Sequence, residues 1–103
     1  MSEDVDEARL WELAGYVKGG AHRYDVFCHL ARNGPAIPSE VASATKKTPQ
    51  RVYDAQSELE ERELIELKVP ESQRKGRLRA LTERGQRVWG FMLEQEIVRE
   101  STR

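Results

Sequence analysis

The chain has 103 residues, a length that suits one compact domain rather than several. With 38% hydrophobic and 34% charged residues, the composition predicts a small core beneath a densely charged surface, and no apolar run is long enough to span a membrane. The single cysteine, Cys28, excludes an intramolecular disulfide, and no signal peptide is present, so we expect an intracellular, cytoplasmic protein.

The distribution of charge is more informative than its total. A net charge of -1 and a pI of about 6.1 argue, taken alone, against a nucleic-acid-binding protein. However, residues 1–17 contain five acidic residues and one arginine, whereas residues 74–87 contain six basic residues and a single acid, Glu83. The basic stretch suits contact with a phosphate backbone, and the alternative interpretation is a solvated basic loop.

Two helices are predicted at the start of the chain. Apolar residues recur at helical spacing over residues 5–17, with Ser2 or Asp4 as the candidate cap, and the glycine pair at residues 19–20 ends this amphipathic helix. A second helix is predicted over residues 21–32, where the Asn-Gly-Pro sequence that follows stops it.

The next two helices have the spacing of a helix-turn-helix. Ser39 is part of a start signal for a short helix over residues 40–45, whose small side chains suit close packing. After a turn, Thr48 before Pro49 is the combination typical of a helix start, and this predicts a helix over residues 49–62. Its inward-facing residues are expected to be Val52, Ala55 and Leu59.

A hairpin and a last helix complete the pattern. Residues 64–69 and 77–81 alternate between apolar and polar side chains, which predicts two paired strands with the basic loop 70–77 as a wing. Thr82 is the expected cap of a last helix that is predicted to run through Val98.

The terminal helices contain surplus apolar surface. Between Val88 and Leu93 the apolar residues almost encircle the last helix, more than one small domain is expected to bury. We therefore predict a homodimer formed by the terminal helices. The residues assigned to its interface are Leu10, Trp11, Leu13, Val17, Trp89, Met92, Leu93 and Ile97.

These elements predict a mainly α fold with a small β-hairpin, namely a winged helix-turn-helix with N- and C-terminal helical extensions. We divide the chain into an N-terminal dimerisation helix at 1–18, a DNA-binding domain at 19–85, and a C-terminal dimerisation helix with a polar tail at 86–103.

The predicted partner is double-stranded DNA. The outer side of helix 49–62 is expected to read base edges in the major groove, because arginine matches guanine and glutamine matches adenine. Asp54 is either an acceptor for cytosine or the ion-pair partner of Arg51. The helix-start residues, the lysines of the turn and the wing suit phosphates. The full set of candidates is Ser39, Lys46, Lys47, Thr48, Gln50, Arg51, Tyr53, Asp54, Ser57, Arg74, Lys75, Arg77 and Arg79.

Catalysis and metal binding find little support. His22, Cys28 and His29 lack the spacing of known zinc sites, and no glycine-rich phosphate loop is present. We therefore expect no enzymatic activity and no cofactor, and we interpret Cys28 as a packed thiol, with redox sensing as the alternative.

Six short motifs between residues 16 and 85 carry a family resemblance: Arg23-Tyr24, Pro38-Ser39-Glu40-Val41-Ala42, Arg51-Val52-Tyr53-Asp54, Leu59-Glu60-Glu61-Arg62, Lys75-Gly76-Arg77-Leu78 and Leu81-Thr82-Glu83-Arg84-Gly85. With these motifs, residues 16–85 resemble archaeal winged helix-turn-helix transcriptional regulators of the MarR, ArsR and TrmB type. The resemblance implies a homodimeric, sequence-specific DNA-binding regulator with helix 49–62 in the major groove and the wing beside it.

Three positions depart from the family pattern. Gln56 replaces an inward-facing leucine, Glu63 replaces the glycine that ends the helix, and Arg79 replaces a tyrosine in the second strand. We expect Glu63 to disturb the turn and Arg79 to strengthen the wing as a phosphate contact.

Two other functions remain open from the sequence. The acidic termini and the glutamates of helix 49–62 also fit a winged-helix module that binds another protein and does not read DNA. A small-molecule effector between the terminal helices and the core is compatible with the sequence, which identifies no particular ligand.

Overall fold

The computed structural model describes residues 6–68 and 77–98, so the predictions for Val69 and for residues 70–76 of the wing, including Arg74 and Lys75, lie outside the described residues. The described part is mainly α with one small antiparallel hairpin, which confirms the predicted fold class. In chain order the elements are α1 (Glu7–Lys18), α2 (Ala21–Asn33), α3 (Pro38–Thr45), α4 (Pro49–Glu61), β1 (Ile65–Leu67), β2 (Arg79–Leu81) and α5 (Glu83–Glu94).

The hairpin is attached to the connection between α2 and α3. Strands β1 and β2 pair with Ile65 opposite Leu81. On the other side of β2, Ala36 and Arg79 exchange two backbone hydrogen bonds of 3.1 Å each. Ala36 therefore pairs with β2 as a single bridging residue and joins the helices to the hairpin.

Local capping explains where the helices begin. The side chain of Asp6 accepts a hydrogen bond from the backbone N–H of Arg9, so Asp6 is the cap of α1 and the predicted Ser2 or Asp4 cap is wrong. Helix α3 begins at Pro38, two residues before the predicted start, since proline is favoured in the first helical position. The predicted Thr48 cap of α4 is confirmed, because its hydroxyl accepts from the N–H of Arg51.

The turn from α4 into β1 forms without the expected glycine. Glu63 takes a left-handed conformation with φ of 61°. Its N–H bonds the carbonyl of Glu60 at 2.9 Å, and the N–H of Leu64 bonds the carbonyl of Leu59 at 3.0 Å. These bonds close the end of the helix as a glycine-containing turn does, so the expectation that Glu63 disturbs the turn is wrong.

Helix α5 begins as predicted but ends earlier. The Thr82 hydroxyl accepts from the N–H of Gly85 at 2.9 Å and donates to the carbonyl of Glu63 at 2.7 Å. A Cβ atom on Gly85 would lie 2.2 Å from the carbonyl oxygen of Leu64, so the absence of a side chain allows α5 to pass close to the hairpin. The helix ends at Glu94 rather than continuing to Val98, because Glu96 turns the chain with φ of 57°.

One apolar core connects all the helices and the hairpin. Leu13, Val17 and Met92 have no exposed surface and lie within it, so these three side chains do not face a partner as the sequence suggested. The prediction of surplus apolar surface failed for them because α1 and α5 cover each other. Among the described residues, no helix is long and apolar enough to cross a membrane.

Candidate nucleic-acid interface

Helices α3 and α4 form a helix-turn-helix. Val41 and Ala42 of α3 are buried against the core, and Lys46 reverses the chain after α3 with φ of 60°. The N–H of Lys47 closes this turn by bonding the carbonyl of Ala42 at 3.0 Å. In this arrangement α3 supports α4 and leaves the outer side of α4 open.

The residues of α4 divide cleanly between the core and the surface. Val52, Ala55 and Leu59 are buried as predicted, together with Gln56. The predicted base-reading residues are all exposed, and Tyr53 keeps 50% of its surface accessible. Ser39, at the start of α3, and Thr48 are exposed on the same helix-turn-helix unit. The exposed outer residues of α4 are Gln50, Arg51, Tyr53, Asp54 and Ser57.

Asp54 does not pair with Arg51. Its carboxylate accepts a hydrogen bond of 3.1 Å from the side-chain amide of Gln50, one helical turn earlier. The Arg51 guanidinium instead lies against α2, where its Nη1 is 2.9 Å from Nε2 of His22. Because residues four apart share a helix face, Gln50 and Asp54 form one polar pair on the outside of α4.

Two of the basic residues assigned to phosphate contact form internal ion pairs. Lys47 Nζ lies 2.8 Å from a carboxylate oxygen of Asp25, and the lysine side chain is only 12% exposed. Arg79 Nε donates to Glu60 at 2.6 Å and is 15% exposed, so it braces the hairpin against α4. Glu60 and Asp25 therefore hold these two side chains within the protein, and the predicted phosphate contacts of Arg79 and Lys47 stay predictions.

The remaining basic candidates differ in position. Lys46 and Arg51 are exposed at the turn and at the start of α4. Arg77 is half-buried just before β2. Arg74 and Lys75 belong to the part of the wing outside the described residues.

A cluster that the sequence did not reveal fixes the other end of α4. The guanidinium carbons of Arg23 and Arg62 lie 4.0 and 3.9 Å from the ring centre of Tyr16, on α1. Arg23 also donates to the Tyr16 carbonyl at 2.8 Å and to the Glu58 carboxylate at 3.0 Å. Glu58 is thus held by Arg23 of α2 rather than directed to the outer side of α4.

The proposed dimer face retains one prominent exposed residue. Trp11 is 48% exposed and contacts the Phe91 ring edge-on, with ring centres 4.9 Å apart. Four other residues assigned to the interface are only partly buried, and they pack against the core at its edge: Leu10, Trp89, Leu93 and Ile97.

Cys28 lies inside the protein. Its side chain is 4% exposed, and burial is the main cause that raises the pKa of the thiol above its ordinary value. Burial likewise raises the pKa of the neighbouring Tyr24. A raised pKa lowers the thiolate fraction, which is the opposite of what a reactive thiol needs. Within residues 6–68 and 77–98, no group of three His, Cys, Asp or Glu side chains has metal-binding geometry.

A cleft of about 340 Å³ lies between α2 and the end of α3. Asp25, the partner of Lys47, is part of its wall, as are Tyr24, His29 and Arg32. This space is not between the terminal helices and the core, where the sequence analysis placed an effector.

Solved structures with a similar fold include a MarR family regulator and a protein whose DNA binding is regulated by a small molecule. A MarR family regulator from Neisseria meningitidis superposes with a TM-score of 0.68 and 23% identity, over 84% of this chain and 61% of the other. BpsR from Bordetella bronchiseptica, whose DNA binding is regulated by 6-hydroxynicotinic acid, superposes with a TM-score of 0.68 and 20% identity. The match covers 87% of this chain and 74% of the BpsR chain. Quinone-bound YodB from B. subtilis superposes with a TM-score of 0.66 and 20% identity, over 84% of this chain and 91% of the YodB chain.

These similarities establish a MarR-like winged-helix fold. The chain spans 61% and 53% of the length of two of the solved structures that it matches. No protein-family model and no curated protein sequence matches it.

Proposed function

We propose that this protein is a transcriptional regulator that binds duplex DNA. In this proposal α4 enters the major groove and the wing at 70–77 contacts the adjacent backbone or minor groove. The assignment is supported by the similar fold of a MarR family regulator and of BpsR, a protein that binds DNA.

The exposed outer side of α4 is the observation that carries this proposal. A helix whose inner side is buried in the core, and whose outer side presents Gln50, Arg51 and Ser57 to solvent, has the shape and the donor groups that major-groove reading requires. The polar pair between Gln50 and Asp54 gives the aspartate a hydrogen-bond donor within the helix, while the carboxylate keeps its negative charge.

Phosphate contact is assigned to a smaller set than the sequence suggested. Lys46 lies beside the start of α4, where the helix dipole also attracts anions. Lys47 and Arg79 are engaged by Asp25 and Glu60 and have a structural role. Arg74, Lys75 and Arg77 of the wing complete the set.

A homodimer through α1 and α5 is part of the proposal. Half-exposed Trp11 and the partly buried residues around it would be covered by a second copy. Two-fold symmetry would then place two copies of α4 about 34 Å apart, one turn of the DNA helix. Sedimentation of the Trp11→Ala variant tests this: a wild-type dimer that becomes monomeric supports it, and a monomeric wild type overturns it.

DNA binding is tested by titrating a labelled duplex, selected from a random pool, at 50 and 200 mM salt. Neutralised phosphates release counterions, so the affinity should fall as salt rises. Lys46→Glu should weaken binding about tenfold or more. The matched control is Arg87→Glu, the same charge reversal on an exposed position of α5, which should change affinity less than threefold.

The same titration distinguishes DNA binding from the alternative function, which is binding of another protein. If no duplex binds at low salt, or if Lys46→Glu and Arg87→Glu have equal effects, the proposal fails. A protein-binding winged helix without DNA reading then becomes the better explanation. In that case Arg74→Glu combined with Arg77→Glu should leave the binding of the partner protein unchanged.

A further inference from the structure

We infer that His22, on α2 and outside the helix-turn-helix unit, is a positioning residue that holds Arg51 ready for base contact and so sets the sequence selectivity of the protein. This inference rests on the proposed function, because it concerns how α4 reads DNA. It requires His22 to act through Arg51 rather than by touching DNA itself.

The geometry fixes the chemical form of the pair. Arg51 Nη1 lies 2.9 Å from His22 Nε2. Arginine is always charged and only donates hydrogen bonds, so Nε2 must be the acceptor and the imidazole must be neutral, with its hydrogen on Nδ1. A protonated imidazole has no acceptor and could not hold the guanidinium.

The other ring nitrogen indicates that Arg51 is the main determinant of the ring orientation. Nδ1 of His22 is buried and has no hydrogen-bond partner among residues 6–68 and 77–98. A buried donor without a partner is unfavourable. Its presence here is consistent with a ring held from the Nε2 side by the contact with α4.

The contact acts at the position where a recognition helix meets DNA. The backbone N–H of Arg51 is already bonded to Thr48 at the start of α4, so the Arg51 backbone is anchored and only its long side chain remains to be ordered. Holding one guanidinium nitrogen leaves the rest of the fork for a base edge and reduces the conformational entropy lost on binding. The benefit applies to the correct base and not to phosphate, which accepts many orientations of an arginine.

The test compares a duplex selected from a random pool with a scrambled duplex of the same length. His22→Phe keeps the volume of the ring but removes the acceptor. It should weaken binding to the selected duplex about tenfold, equivalent to about 1.4 kcal/mol, and change binding to the scrambled duplex less than twofold. Thermal unfolding of each variant shows whether the fold is retained.

Two amide variants provide matched controls. His22→Gln can place an oxygen near the position of Nε2 and should restore selectivity to within about threefold of the wild type. His22→Asn reaches only the position of Nδ1 and should behave like His22→Phe. In an Arg51→Ala background, measured at low salt, His22→Phe should have no further effect, because the group that it positions is gone.

Several results would overturn the inference. Equal losses on both duplexes would indicate a general effect on folding or charge, and a gain in affinity would mean that His22 restrains Arg51 away from DNA. Additive effects of the two substitutions would show that His22 acts independently of Arg51. If the wild-type protein binds no duplex, the proposed function itself fails; if it binds selectively but the substitutions are additive, only this inference fails.

Discussion

Gln56 allows the free-energy cost of buried polar groups without hydrogen-bond partners to be measured in the core. Its side chain is 1% exposed, and neither its amide nitrogen nor its amide oxygen has a hydrogen-bond partner among the described residues. Each buried polar group without a partner costs about 1 to 3 kcal/mol. Gln56→Met keeps a similar length and helix propensity while removing both polar groups.

We expect Gln56→Met to raise the free energy of unfolding by about 2 kcal/mol, near the lower end for two unpaired groups. For a domain of this size, such a gain corresponds to a rise of about 10 °C in the melting temperature. Urea denaturation should show a higher midpoint with an unchanged slope.

The control is Gln86→Met, the same change at an exposed position of α5, which should alter stability by less than about 0.5 kcal/mol. Because Gln56 faces the core, DNA affinity should change less than twofold. A destabilised Gln56→Met protein would refute the reasoning, since it would mean that the amide is satisfied in solution.

Three further predictions concern other positions where the structure is constrained. Gly85→Ala should destabilise the protein by about 3 kcal/mol, because its Cβ would lie 2.2 Å from the Leu64 carbonyl oxygen. Gly90→Ala is the control: a Cβ there has nothing within 4 Å, so it should stabilise α5 by about 0.5 to 1 kcal/mol. Both changes in the free energy of unfolding are measured by urea denaturation. Glu63→Gly should stabilise by about 1 kcal/mol, because glycine adopts the left-handed conformation without strain, and a loss of stability would show that the glutamate side chain matters more than its backbone. Cys28 should react with iodoacetamide at least about tenfold more slowly than free cysteine at pH 8. The pH at which the reaction rate is half-maximal should be higher than for free cysteine, because the pKa of the Cys28 thiol is raised. Addition of denaturant should abolish both differences.

Features that depend on near neighbours in the chain were predictable from the sequence. Thr48 and Thr82 cap their helices through backbone groups three residues away, so the start of α4 and of α5 could be read directly. The inward positions of α4 followed from helical spacing. The same reasoning failed at the end of α5, since the left-handed Glu96 has no strong sequence signal.

Contacts between distant segments could not be predicted in this way. His22 and Arg51 are 29 positions apart, and the sequence around each gives no sign that their side chains meet. Lys47 was assigned to DNA because its charge suits phosphate, but α2 brings Asp25 within 2.8 Å of it. A sequence pattern identifies which residues are charged, whereas the packing of helices decides which charges remain available to a ligand.

Gly20 has a tertiary role in addition to the helix break that the sequence indicates. The sequence indicated only a helix break, but a Cβ atom there would lie 2.7 Å from the guanidinium carbon of Arg23. That guanidinium contacts Tyr16 on α1 and Glu58 on α4, so it connects a proposed dimerisation helix to the proposed recognition helix.

We therefore expect Gly20→Ala to destabilise the protein by about 1 kcal/mol through displacement of Arg23, in addition to a few tenths for the less favourable cap. The assay is a double-mutant cycle in urea with Arg23→Ala. If Gly20 serves to admit the guanidinium, the cost of Gly20→Ala should fall to the capping contribution once Arg23 has been removed. An undiminished cost in the Arg23→Ala background would show that Gly20 is required by the backbone and not by the connection between α1 and α4.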